Sequence, residues 1–202
     1  MKRAFTLIEL LIVIAIIAIL ALIAIPNFLE SQARARVSRC LADMRSLATA
    51  TEAYTVDYNR AEIGFNEGVH LGLWDNNDDI RRGIGVYAPL TTPIAYITNP
   101  PFDAFIEKAS SDNNRKFRVY FYDYYARILD PTPGNNASIK ANKRGYFWLY
   151  RSWGPSRKST TPWEWEMLSD QTTEHIYDPT NGTVSDGVIL YTNRGLYKGP
   201  KS

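Results

Sequence analysis

The chain has 202 residues, 45% of them hydrophobic, and a formal net charge of +2. Without Lys2 and Arg3 the basic residues fall from 23 to 21 and match the 21 acidic ones, so no global basic field points to nucleic acid. The single cysteine, Cys40, excludes an internal disulfide, and with only His70 and His175 as histidines no zinc spacing exists.

The chain opens Met1-Lys2-Arg3-Ala4 and then runs apolar from Phe5 to Ile25 with one charge, Glu9. At about 1.5 Å per residue this run makes a helix of roughly 31 Å, a bilayer's hydrocarbon thickness. A charge inside such a helix costs about 2.5–3.5 kcal/mol at its centre and marks a functional position by default. Hydropathy alone admits three readings. A signal peptide cleaved near Ala24 needs a shorter apolar core, of about 7–15 residues. A plain single-pass anchor leaves Glu9 without a reason. The third reading makes Glu9 the point of the segment.

That third reading rests on a resemblance. Lys2-Arg3-Ala4 followed by Phe5-Thr6-Leu7-Ile8-Glu9-Leu10 resembles the signature of the type IV pilin and type II secretion pseudopilin superfamily. The resemblance implies that a prepilin peptidase cuts between Ala4 and Phe5 and N-methylates Phe5. It also implies that Glu9 serves filament assembly by neutralising the terminal amine of a neighbouring subunit. The family's usual residue before the cut is Gly, and Ala4 departs from it while remaining small. Lys2 and Arg3 keep the N-terminus in the cytoplasm by the positive-inside rule, which sends the rest across the inner membrane.

Pro26 follows the apolar run and removes one backbone hydrogen bond, so a kink or loosening is expected there. Beyond it Val37, Leu41, Met44, Ala48, Thr51, Tyr54 and Tyr58 recur at three-four spacing, one apolar stripe on a helix. Arg34, Arg36, Arg39, Asp43, Arg45 and Glu52 lie mostly off the stripe. A continuous helix from Phe5 to Tyr58 is about 80 Å long. Its membrane half is residues 5–25 and its amphipathic half residues 26–58. An anchor, a break at Pro26 and a separate domain helix fit the same pattern. Cys40, within a turn of Leu41 and Met44, is expected to be a small buried thiol.

Residues 59–116 read as an irregular connecting region, because Gly64, Gly68, Gly72, Gly83, Gly85 and Asn76-Asn77-Asp78-Asp79 break any period. Leu90 to Ile97 and Pro100-Pro101-Phe102-Asp103 loosely resemble the stretch of the major pseudopilins where a short helical segment and a proline turn lead into the sheet. The head proper, residues 117–202, holds three strand candidates: Phe117 to Tyr125, Tyr146 to Trp153 and Val188 to Thr192. Aromatic and β-branched alternation at period two is the signal. Pro131, Pro133, Gly134, Asn135 and Asn136 break the first two apart. An antiparallel sheet packed on the amphipathic half-helix gives every apolar face a partner, an α+β fold.

The connection 154–187 is longer than the 12–15 residues or so beyond which loops are usually functional or mobile. Ser152-Trp153-Gly154-Pro155 and Tyr177 to Thr183 resemble the C-terminal region of the major pseudopilins, which carries a structural calcium in that family. Here Ser156 and Arg157 replace the family's Asp-Gly, Lys158 adds a second positive charge, and calcium wants six to eight oxygen ligands. Asp170, Asp178 and Asp186 are available, but their spacing does not demand an ion, and no cofactor is expected. No phosphate loop or nucleophile elbow occurs. Glu164 and Glu166 among Trp163, Trp165 and Met167 could mimic an acid pair beside sugar-stacking rings. Packing of those rings on the sheet is the simpler account. The tyrosine-rich strands likewise fit a half-buried sheet before a stacking platform. Asn136-Ala137-Ser138 and Asn181-Gly182-Thr183 match the glycosylation pattern, but matches this short arise by chance.

The expectation is therefore a non-enzymatic filament subunit, most like a major pseudopilin of type II secretion. The head runs longer than is usual there. The alternative is a type IV pilus pilin or a minor tip subunit with a surface-binding head. The implied partners are copies of itself, other pseudopilins, the prepilin peptidase, an inner-membrane platform with its assembly ATPase, and membrane lipid.

Overall fold

The computed structural model describes residues 5–70, 73, 79–106, 119–124, 136–156, 176–178, 185 and 187–199. Helix α1 spans Leu7–Tyr58 and runs on through Pro26. Thr6 caps its N-terminus, and Asn59 ends it in the left-handed conformation with φ 51°. The first half of α1 is almost wholly exposed and has no buried residue: Leu11, Ile14, Ile17, Leu20, Phe28 and Leu29 are each more than half accessible. The first buried residue along the helix is Cys40, followed by Met44, Leu47, Ala48, Ala50, Thr51 and Tyr54. The stripe is thus buried from Met44 to Tyr54, with Val37 and Leu41 partly buried at its near end. Tyr58 stays 40% exposed and stacks on Tyr54 with ring centroids 4.5 Å apart.

Among the described residues four strands form one antiparallel sheet in the order β1-β2-β3-β4. They are β1 (Phe121–Tyr124), β2 (Trp148–Ser152), β3 (Ile189–Thr192) and β4 (Gly195–Leu196). Three coincide with the expected strands, each shorter. Val119 lies ahead of β1 and only bridges Phe102, while Phe117, Arg118 and Tyr125 lie outside the described residues. The fourth strand was not expected; it is a two-residue return from the Asn193-Arg194 turn.

Alternation in β2 and β3 supplies two cores. Trp148, Tyr150 and Ile189, with Tyr120 and Tyr122, face the buried stripe of α1. Leu149, Val188 and Leu190 face the other way, against Ala141 and Tyr197. The Tyr pair at Tyr122 and Tyr150 packs at 4.9 Å between centroids.

Two stretches read as irregular are helical. Helices α2 (Phe65–His70) and α3 (Asp79–Thr91) lie inside 59–116. Gly83, Gly85 and Pro89 disfavour α3 locally, but Val86, Tyr87 and Leu90 are buried against the α1 core. Burial of that face outweighs intrinsic propensity, which is worth about 1 kcal/mol per Gly. Helix α4 (Asn136–Lys143) begins at Asn136, the last residue of the expected break. Its Ala141 is fully buried on the second core. Gly64, just before α2, approaches β1 so closely that a Cβ there would lie 2.6 Å from the Tyr124 backbone nitrogen.

Candidate functional site

The N-terminal end of α1 carries the first group of candidate functional residues. Thr6 and Glu9 form a reciprocal capping box. The Glu9 backbone N–H donates to Thr6 Oγ1 at 3.2 Å, while the Thr6 N–H and hydroxyl both donate to Glu9 Oε2, at 2.8 and 2.7 Å. Both bonds use one carboxylate oxygen, which leaves Oε1 open on an exposed helix end. The Thr-x-x-Glu spacing was in the sequence and was not read there as a cap. Phe5, directly before the cap, is 71% exposed. Ala4 lies outside the described residues.

Behind this end, Leu7–Tyr58 is long and apolar enough to cross a membrane, and none of its most hydrophobic 18-residue window is buried. Among the described residues this apolar surface has no protein partner. Between it and the head lies a neck carrying Glu30, Arg34 and Arg39, where Arg34 pairs with Glu30 one turn back.

The second group fixes the head to α1. Tyr120 donates its hydroxyl proton to Asp43 Oδ2 at 2.9 Å, joining the residue before β1 to the helix. Asp103, 2% exposed, collects three donors: the Phe105 N–H at 2.9 Å, the Ser152 hydroxyl at 2.8 Å and the Trp153 N–H at 3.0 Å. Burial raises the Asp103 carboxyl above its usual range, although these bonds and nearby Arg151 pull the other way. Cys40 is fully buried beside this network. Burial, with the Asp103 charge adding to it, pushes its thiol up to about 12. It is the inert buried thiol expected, since reactivity needs a thiolate. Sequence reasoning passed over Asp103 as part of a proline turn. No local signal marks it, because its partners Ser152 and Trp153 lie 49 and 50 positions away.

Around Gly154 the chain is held tightly. Gly154 has φ +69°, and a Cβ there would lie 2.3 Å from the Gly187 carbonyl oxygen. The Asp178 N–H donates to Ser185 Oγ at 2.9 Å. Among the described residues no three His, Cys, Asp or Glu side chains gather as a metal site. Asp170, Asp186, Arg157 and Lys158 lie outside the described residues, as do His175, Trp163, Glu164, Trp165, Glu166, Met167 and Asn181. The ground for expecting no bound calcium is in the sequence, where Ser156, Arg157 and Lys158 depart from the acidic, glycine-containing pattern of the family it resembles. Thermal melts of the full chain in detergent, with calcium and with chelator, are expected to coincide. A ligand specific to the native state at a hundredfold excess over Kd adds about 2.7 kcal/mol, so an upward shift of several degrees in calcium overturns this.

A long helix, exposed and apolar in one half and buried against a four-stranded antiparallel sheet in the other, is the pilin-like α+β architecture. Proteins of this class are structural, not enzymatic. Residues 1–25 match the family described as the prokaryotic N-terminal methylation motif. The chain is 48% identical over 69 residues to the type IV major pilin protein PilA of Myxococcus xanthus (strain DK1622), covering 32% of this chain and 31% of that protein. It is 43% identical over 75 residues to the type IV major fimbrial protein FimA of Dichelobacter nodosus, covering 36% of this chain and 47% of that one. The matched stretch is thus about a third to a half of these relatives' length. No solved structure matches the chain significantly.

Proposed function

We propose that this chain is a type IV pilus subunit. It is made as a membrane-held precursor, cut between Ala4 and Phe5, methylated on Phe5, and polymerised through its exposed apolar helix with the head outermost. The observation that carries this reading is the exposed apolar half of α1, without a partner among the described residues, together with a methylation motif over residues 1–25. Bilayer lipid covers that surface before assembly, and copies of the same helix cover it afterwards. Both relatives named above are pilus or fimbrial subunits, which favours a pilus over the type II secretion filament that the head's looser resemblance suggested. Of the stretches that carry that looser resemblance, 179–183 lies outside the described residues.

The partners that follow are the prepilin peptidase, an inner-membrane platform and an assembly ATPase. A retraction ATPase gene beside this one is the expected neighbour, whereas a secretin and secretion ATPase point to export. Processing is tested directly. Intact-mass and N-terminal peptide analysis of membrane-extracted protein is expected to find N-methylated Phe5. A bulky residue at Ala4 is expected to leave uncut precursor in the membrane, because the peptidase pocket takes a small side chain. A mature terminus near Ile25 instead makes the segment a signal peptide and removes the filament reading.

A further inference from the structure

Glu62 sits just past the end of α1 and is 1% exposed. Its Oε1 accepts the hydroxyl proton of Thr51 from α1, and the Tyr150 hydroxyl of β2 lies 3.4 Å from the same oxygen. Thr51 Oγ1 and Tyr150 OH are themselves 2.6 Å apart. Thr51 gives its one proton to Glu62, so Tyr150 supplies the proton between the two hydroxyls. The hydroxyls thus form a relay from β2 through α1 to Glu62. Glu62 Oε2 is buried with no hydrogen-bond partner among the described residues, and so is the Tyr122 hydroxyl of β1.

The groups that face this carboxyl from each neighbouring element are Thr51 on α1, Tyr87 on α3, Tyr122 on β1 and Tyr150 on β2. Burial pushes all three tyrosines well above their ordinary range, so they are neutral at any physiological pH. The charges that act on these tyrosines besides Glu62 are Asp103, on Tyr87, and Asp123, on Tyr122, both carboxyls. Among the described residues no cation contributes to the environment of Glu62 itself. An ionised Glu62 is thus a buried negative charge with one oxygen unbonded, an arrangement that costs several kcal/mol per ion in proteins. A neutral acid needs fewer donors and carries no charge to desolvate.

We propose that the folded head carries Glu62 as a neutral carboxylic acid, a proton-linked latch that joins α1 to the sheet and loosens when the proton leaves. The direction of its titration agrees. Burial raises the Glu62 carboxyl above its ordinary value, outweighing the bonds from Thr51, its own backbone and Tyr150 that favour ionisation. The sign follows by linkage. Between the ordinary glutamate value of about 4.3 and the higher folded value, the native state holds one proton more than the unfolded state. Glu62's contribution to stability is therefore full below about pH 4.3 and declines as pH rises towards the folded value. The unfolding constant gains about tenfold per pH unit across that window.

The test uses the full chain in detergent micelles. Thermal and denaturant unfolding of wild type and Glu62→Gln are compared from pH 4 to 8. Glutamine keeps the Oε1 acceptor and cannot ionise. The variant is expected to lose the pH-dependent decline that belongs to Glu62 and to be at least as stable as wild type at pH 8. The Asp103 contribution is common to both chains and cancels. Parallel pH profiles of the two chains overturn the latch. A second measurement needs no variant: the side-chain carboxyl carbon of Glu62, followed by NMR in labelled wild-type chain, is expected to titrate above the ordinary glutamate range. A midpoint at or below about 4.3 overturns the proposal even if Glu62→Gln does not fold.

Discussion

Cells making the Glu9→Val chain are expected to express, insert and cleave it near normally, yet to yield few or no sheared filaments. With the proposed cut between Ala4 and Phe5, Phe5 begins with an amine that is cationic near neutral pH. Glu9 is four residues on, about one helical turn away. Two opposite charges in a low-dielectric setting are costly apart and much less so together, so a subunit entering at the wrong height leaves both unpaired. The pair can thereby set axial register. The capping box offers a competing, purely local role, since Glu9 already accepts the Thr6 N–H and hydroxyl within its own chain. Losing a cap costs about 0.5–2 kcal/mol, confined to the helix end.

Glu9→Gln separates the two roles. Glutamine at this position supports a capping box but carries no charge. Register set by charge predicts that Gln fails as Val does. Filaments restored by Gln assign Glu9 to the cap. Filaments from Val as abundant and as long as wild type refute both and leave Glu9 as at most a recognition feature for the peptidase. Co-expressed with wild type, the Val chain is expected to enter filaments poorly.

Asp103→Ala is expected to destabilise the head by about 3–5 kcal/mol, a large share of the roughly 5–15 kcal/mol a domain usually has. The substitution strands three buried or partly buried donors at once: the Phe105 and Trp153 N–H groups and the Ser152 hydroxyl. Each unsatisfied group costs about 1–3 kcal/mol, and local relaxation keeps the total below their sum. Asp103→Asn is expected to cost less. Its carbonyl can still accept from Phe105 and Ser152, while its amide opposes the Trp153 N–H. Denaturant unfolding of the full chain in detergent, followed by tryptophan fluorescence, reads the effect, because Trp153 reports on this junction. A midpoint for Asp103→Ala within error of wild type shows that the three bonds hold nothing that water cannot replace.

Much of this protein was determined by its sequence alone. A run of twenty-one residues with one charge has few uses, so the exposed apolar half-helix and the singular place of Glu9 were legible. The three-four stripe foretold the buried side of α1 from Met44 to Tyr54, and aromatic alternation foretold the three longest strands. These signals are local: a helix repeats every 3.6 residues and a strand every two. The Thr6–Glu9 cap was equally local, and Ala61-Glu62-Ile63 set an acid in apolar company, but neither was read.

Only the tertiary structure decided the rest. Helix α3 contains two glycines and a proline and is helical because Val86, Tyr87 and Leu90 find the α1 core. Strand β4 has two residues, too short for any period. The roles of Asp103 and Glu62 depend on partners far along the chain: Ser152 is 49 positions from Asp103, and Tyr150 is 88 from Glu62. An acid in solvent and an acid in a core have the same sequence neighbours. What separates them is desolvation and the donors brought by folding, and those exist only once the sheet has closed on the helix.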